Sequence, residues 1–545
     1  MTDPFSSIRN APAVSATERW ILAAILLLAL GLRFHGIGFG LPALNDPDEP
    51  LFMMTAMDML RGHSLDPHWF GHPGTITLYS LALVMLAVGG LGIATGSFAD
   101  AHAFVHAVYA DPGILFLPAR LMIALCGVGC VWLVWSIGRR IGGPRLGLIA
   151  AALLAVNALH IGYSQIIRTD MQASLFMLLC TRAAMGMLAT SGRRGWIAAG
   201  IWAGLACATK WPAVLVLLNP VMVSLAQRRY GRAMAVPLVT LAALLAASPF
   251  LLLDWTTVLR DLAGEARPVH PGATGGGPLA NLFWYVRGPL AGSLGAGGLL
   301  FAIGGLIVAL RRDSMVRLAV APAFLLFFLV VIVQALRWER WLVPLLPFLS
   351  IMAGYGVCAL ADELRARRPR WPLGQAEAAM AVLLMLPMAL VAQARAAEQM
   401  HDTRQIASAW VRAHVPAGRS ILVEQAAFDL LGGPWRFLFP LGAAGCVEPG
   451  KFLSGGVSYA HVDGLRAARP VVDLGNVADG TMASCVADYA VLTHYDRYRA
   501  DPVRFAPELA RYDAVIRQGA IVATIRPRPG VSGGPTVRIV ARRGR

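Results

Sequence analysis

The stretch Asn45-Asp46-Pro47-Asp48-Glu49-Pro50 sets three carboxylates just behind an apolar run at 20–32, and its setting decides how the chain is read. Charge at the edge of a bilayer is costly unless a function or a partner keeps it there. Asn, Asp and Pro also form turns, so a solvated acidic turn accounts for the same residues. The surroundings bear on the choice. Of 545 residues, 57% are hydrophobic and only 14% charged, and the mean hydropathy is +0.60. Repeated apolar runs of about 20 residues identify a polytopic α-helical membrane protein. A net charge of +16 would point to nucleic acid in a soluble chain. Here the basic residues sit in short loops between apolar runs, which is a topology signal, and no nucleic-acid partner is expected.

Residues 1–19 read as a cytoplasmic N-terminus ahead of an uncleaved first helix. A long first outer loop covers 33–117. Within it, 75–95 is apolar enough to span. The arginine clusters Arg139/Arg140/Arg145, Arg193/Arg194, Arg228/Arg229/Arg232, Arg311/Arg312/Arg317 and Arg365/Arg367/Arg368/Arg370 all fall on the cytoplasmic side only if 75–95 returns to the side it left. That segment is therefore expected to be a re-entrant or interface-lying helix pair, broken at Gly89, Gly90 and Gly92. About 11 spanning helices result, in a transmembrane domain over 20–391.

The Gly- and Pro-rich part of the loop from 254 to 289 has the composition of a lid. Residues 392–545 are polar. They carry strand-like runs at 420–423, 490–492 and 520–525 beside a helix-like run at 402–414, and predict a soluble extracytoplasmic α+β domain. Cys446 and Cys485 are the pair available there for a bridge if the compartment is oxidising, and the sequence leaves their separation open. The other five cysteines lie in apolar runs as small core residues.

With this topology the outward segments gather Asp48, Glu49, His72, Asp170, Lys210 and Arg340. Each has a plain structural explanation. Asp170 caps a helix, Lys210 snorkels from a helix end, and Arg340 between Trp338 and Trp341 anchors at the interface. The gathering of acids and bases on one face is what favours a site.

Taken in order, Asp48-Glu49, His72-Pro73, Arg168-Thr169-Asp170, Thr209-Lys210-Trp211 and Arg340-Trp341 with Pro344 and Pro347 resemble the GT-C membrane glycosyltransferases. The match is to the dolichyl-phosphate-mannose protein mannosyltransferase-like group, similar also to the lipid A aminoarabinose transferase. His72-Pro73-Gly74 departs from the second proline that many relatives carry. The resemblance covers about 20–390 and implies a GT-C fold in the inner (plasma) membrane with an extracytoplasmic site. It also implies transfer of a hexose or pentose from a polyprenyl-phosphate sugar donor to an acceptor hydroxyl, with inversion. The acceptor class would be a glycolipid, a lipid A-like molecule or a protein.

On that reading Asp48 is the base, Lys210 and Arg340 hold the donor phosphate, Glu49 and Asp170 orient sugar or acceptor, and His72 lies in a substrate loop. No cofactor is assigned. Asp46-x-Asp48 looks like half of a divalent-metal site, and a metal is left open. The alternative is a transporter or flippase whose path Asp48, Asp170 and Lys210 would line. A third reading, a ligase using a diphosphate-linked glycan, shares the fold type.

Overall fold

A computed structural model describes residues 13–190, 192–367, 373–424, 428–449, 459–467, 469 and 471–543. Arg368 and Arg370 of the last basic cluster lie outside them. Helix α1 is Ala16–Phe34, α2 Asp48–Arg61, α3 Thr75–Ala94, α4 Ala101–Ala110, α5 Gly113–Ala155, α6 Ala158–Ser164, α7 Thr169–Ala189 and α8 Arg193–Thr209. Seven helices among the described residues are long and apolar enough to cross a membrane by length and composition. The 19-residue α1, the 17-residue α8 and the shorter apolar helices Trp211–Ala226 and Ala321–Ile332 pack among them.

Two contacts fix the relative direction of α1 and α5. At one end, Arg139 Nε donates to Glu18 Oε1 at 2.7 Å. At the other, Arg120 Nη1 donates to the carbonyls of Ile37 and Phe39 at 2.8 Å each. The first leg of α5 therefore starts where α1 ends, so residues 75–112 leave and return at one end of the bundle, called here the site end. The expected break in this stretch is absent: α3 is one continuous helix. Its glycines seat aromatic rings. A methyl group at Gly89 would lie 2.8 Å from the Phe104 ring, and one at Gly92 2.3 Å from the Phe98 ring. A helical glycine costs about 1 kcal/mol against alanine, and here ring packing offsets it.

α5 is two legs, split at Gly142 and Gly143, the latter at φ 80°. The second leg begins at the far end, where Arg145 pairs with Asp362 at 3.1 Å and with Glu377. Gln227 Nε2 donates to the Met187 carbonyl at 2.8 Å there too. Back at the site end, the buried Phe52, Met53, Leu78, Leu81, Leu115, Phe116 and Ile167 pack α2 against α3 and α5. The Gly/Pro-rich part of 254–289 meets the segment ahead of the 3-10 turn Glu339–Leu345 through two backbone hydrogen bonds. Gly275 N–H donates to Ala335 O at 2.8 Å and Arg337 N–H to Ala273 O at 2.7 Å.

The last bundle helix, Leu373–Met400, leads into Thr403–His414, capped by Asp402. A six-stranded mixed sheet follows, in the order β3-β2-β1-β4-β6-β5, with β1 Ser420–Val423, β2 Arg436–Pro440, β3 Cys446–Val447, β4 Tyr489–Leu492, β5 Gly519–Ile525 and β6 Val537–Arg542. β1 pairs parallel with both β2 and β4. Two contacts dock this domain on the acidic loop. Gln405 and Asn45 exchange paired amide bonds at 2.7 and 2.9 Å, and Arg404 Nη1 donates to Asn45 O at 2.6 Å.

Cys446 and Cys485 form a disulfide with their Cα atoms 4.9 Å apart. Closing a segment of 39 residues removes about 4 kcal/mol of unfolded-chain entropy in the loop-closure treatment. Replacing both cysteines by serine should lower the domain's unfolding free energy by about 2–4 kcal/mol in denaturant titration. An unchanged midpoint under oxidising conditions would contradict this.

Candidate active site

Asp48 and Glu49 open α2 behind Pro47, where negative charge suits the positive end of the helix. Successive residues on a helix diverge by about 100°, so neighbours cannot share one site. Glu49 turns inward and is fully buried. Arg120 grips it with two bonds, Nε to Oε1 at 2.8 Å and Nη2 to Oε2 at 2.6 Å, and Ile167 N–H adds a third at 3.0 Å. Asp48 turns the other way and is the most open of the three central acids, with 30% of its side chain exposed against none for Glu49 and 1% for Asp170.

Asp48 meets two guanidinium groups, Arg340 Nη1 at 2.7 Å and Arg168. Arg168 also binds both oxygens of Asp46, at 3.0 and 3.1 Å. Two residues on, in the first turn of α7, Asp170 pairs with Lys210, which caps the end of α8. Arg340 comes from the 3-10 turn Glu339–Leu345, with its guanidinium 4.9 Å above the Trp338 ring. Its Nε is buried without a hydrogen-bond partner.

His72 is strapped beside them. Its carbonyl accepts from Trp211 N–H at 2.9 Å, and Pro73 bridges to Lys210. Its ring lies 5.4 Å from Trp69 and 5.8 Å from Phe52. Asp48, Asp170, Lys210, Arg340 and His72 thus meet in one cluster, while Glu49 stands behind it.

Burial pushes the Asp48 carboxyl up, but Arg168 and Arg340 beside it more than offset this and hold it well below the usual carboxylate range. Burial, then the positive charges of Lys210 and Arg340, push the His72 imidazole down to about 3. His72 is therefore neutral at any ordinary working pH. Asp46 and Asp48 face a guanidinium between them, so a divalent cation there would have to displace Arg168.

Sequence reasoning missed Arg168, Arg120 and Asn45. Arg168 opens the Arg-Thr-Asp turn, two residues before the acid that was singled out. Arg120 lies in an apolar helix, where an isolated arginine already asks for a partner.

A helical bundle with this charged cluster at one end and a mixed-sheet domain docked over it has the GT-C membrane glycosyltransferase fold. Residues 104–253 match the family model described as Dolichyl-phosphate-mannose-protein mannosyltransferase. That span contains Asp170 and Lys210 but neither Asp48 nor Arg340. Nearly the whole chain is similar in structure to ArnT from Cupriavidus metallidurans in the apo state, at 15% identity and TM-score 0.56, covering 97% of this chain and 98% of that one. The same protein bound to undecaprenyl phosphate matches at 16% identity and TM-score 0.55, with equal coverage. An Archaeoglobus fulgidus oligosaccharyltransferase tethered with an acceptor peptide matches at 13% identity and TM-score 0.54, over 97% of this chain and 74% of that one. No curated protein matches by sequence. The resemblance to GT-C enzymes of the mannosyltransferase-like family, read from the ordered motifs, holds.

Proposed function

We propose that this membrane protein transfers a sugar from a polyprenyl-phosphate donor to an acceptor hydroxyl at the outer face of the inner membrane, with inversion at the anomeric carbon. The observation that carries the reading is the single cluster of Asp48, Arg168, Asp170, Lys210 and Arg340. In the reaction the acceptor oxygen bonds to C1 as the C1–O bond to phosphate breaks. The bonding pair leaves with the polyprenyl phosphate, and the acceptor proton passes to Asp48.

Phosphate is a good leaving group, so cations on it do more than an acid would. Lys210 and Arg340 fill that role, and the unpaired Arg340 Nε is a donor in hand for it. The same Arg340 clamps Asp48 in the free protein. When the donor phosphate claims Arg340, one of the two charges that weaken Asp48 as a base is drawn off. The base thus strengthens when the donor is in place. Glu49 takes a positioning role through Arg120, and Asp170 orients Lys210 as well as substrate. The relative whose structure holds undecaprenyl phosphate has this fold along nearly its full length, which supports a lipid-phosphate donor. A glycolipid, a lipid A-like molecule or a protein is the acceptor class.

The test is purified protein in lipid nanodiscs with undecaprenyl-phosphate sugars and either lipid A or peptide acceptors, followed by mass spectrometry. Released undecaprenyl phosphate with glycosylated acceptor supports the reading. Use of diphosphate-linked donors alone would make the protein a ligase, and donor movement across vesicles without any product would make it a transporter.

The charge state of His72 adds a second test. Because His72 is neutral from pH 5 to 8, the kcat/KM profile should show no limb near about 6.5, the ordinary histidine value. A limb there that His72→Asn removes would overturn the assignment. The acid limb owed to Asp48 should lie below the ordinary aspartate value of about 3.9.

A further inference from the structure

Three side chains that the proposed chemistry does not use meet beside the loop that carries His72. They are Asp66, His68 and Asp254. One ligand atom from each lies within 4.8 Å of the other two. His68 Nδ1 is 3.3 Å from Asp66 Oδ2 and 3.7 Å from Asp254 Oδ2. Ligands bonded to zinc at about 2.0–2.1 Å in a tetrahedron stand about 3.3 Å apart, so these atoms are close to coordinating distances already.

The other oxygen of each carboxylate is held by protein. Asp66 Oδ1 accepts from His68 N–H at 2.9 Å, and Asp254 Oδ1 from Thr256 Oγ1 at 3.3 Å. Such outer partners aim a carboxylate at a metal. The His68 backbone sits at φ 50°, in the left-handed region, which is uncommon for a residue with a Cβ. His68 is 71% exposed, so the site is open to solvent for entry and for a water ligand.

We propose that Asp66, His68 and Asp254 bind a divalent cation of the zinc class, with water completing the shell. One imidazole and two carboxylates suit zinc better than magnesium or calcium, which prefer oxygen alone. The metal clips the loop that leads to His72 onto the start of helix Trp255–Glu265. That seam is already tied by Phe70 N–H to Asp261 Oδ2 at 2.7 Å and by packing of Phe70 with Val258. The clip thereby sets the height of the His72 loop over the site end. The inference rests on these three residues and stands whatever the sugar or acceptor.

The experiment uses full-length protein in detergent, stripped with a chelator and titrated with Zn²⁺ alone against a chromophoric competitor, with metal content read by mass spectrometry. Wild type should hold about one equivalent. His68→Ala and Asp254→Asn should each weaken binding by more than about 10-fold, the least that loss of even an outer-shell partner costs. His68 is exposed and Asp254 partly so, and elution as a single species confirms folding. His102 and His106, one turn apart on α4, are an independent pair of imidazoles, and His102→Ala should leave the equivalent in place. Zinc slowing proteolysis within 254–277 in wild type but not in His68→Ala would place it at the clip. Absence of tight zinc in wild type, or its loss in His102→Ala instead of His68→Ala, overturns the proposal.

Discussion

Asp48→Asn should lower the rate of sugar transfer by about 10²- to 10⁴-fold, the usual cost of losing a general base, while the protein folds and binds donor. The substitution keeps size and turn preference, and Asn Oδ1 can still accept from Arg340, so α2 should still form, at some cost in stability from the charge lost between Arg168 and Arg340. What disappears is the one proton acceptor in the cluster with substantial exposure. Single-turnover rates with saturating donor give the cleanest measurement, because KM then drops out. Asp170→Asn is the decisive companion. Asp170 is buried against Lys210, so its loss should act through donor phosphate binding and raise KM with a smaller fall in kcat. If Asp48→Asn kept near wild-type rates while Asp170→Asn abolished them, the base would be Asp170. If both stayed fully active, the enzyme reading itself would fail.

Much of this site is legible in sequence, and the limits have physical causes. Each segment that charge alternation is expected to place on the outer side, the first loop, 165–170, the turn around Lys210, the loop 254–289 and 337–340, arrives at the site end. Membrane helices have few ways to connect, so the side on which a polar segment emerges is set early. Which way a side chain turns once there is another matter. Asp48 and Glu49 are adjacent in sequence and alike in chemistry, and only the rotation of α2 separates an open carboxylate from a buried one. The glycines of α3 misled for a related reason. Gly89 and Gly92 read as breaks, yet a missing Cβ also makes room, and Phe98 and Phe104, several residues on, fill it. In the soluble domain the strands at 420–423, 490–492 and 520–525 and the helix at 402–414 were legible from local pattern. β2 and β6 were not singled out, although each pairs with a strand close by in the chain, β2 with β1 and β3 and β6 with β5.

Arg120→Ala should destabilise the protein by about 3–5 kcal/mol, the usual cost of stripping one partner from a buried ion pair. Both side chains of the Arg120–Glu49 pair are fully buried. Removing the guanidinium strands a carboxylate, and it also orphans the carbonyls of Ile37 and Phe39, which Arg120 Nη1 satisfies. Glu49→Gln should cost less, because its amide oxygen can still take the bonds from Ile167 N–H and Arg120 Nε. Its amide nitrogen then faces Arg120 Nη2 donor to donor, and that bond is lost. The double change Glu49→Leu with Arg120→Met removes both charges at similar volume, which often restores stability at buried pairs. Here the recovery should be incomplete, since two carbonyls and the Ile167 N–H remain without partners. The same variants separate positioning from catalysis. If Glu49 only sets the register of α2 against α5, transfer per folded molecule in Glu49→Gln falls far less than in Asp48→Asn, and its pH profile keeps the wild-type limbs. A loss of kcat equal to that of Asp48→Asn, in protein of unchanged thermal midpoint, would instead put Glu49 among the reacting groups.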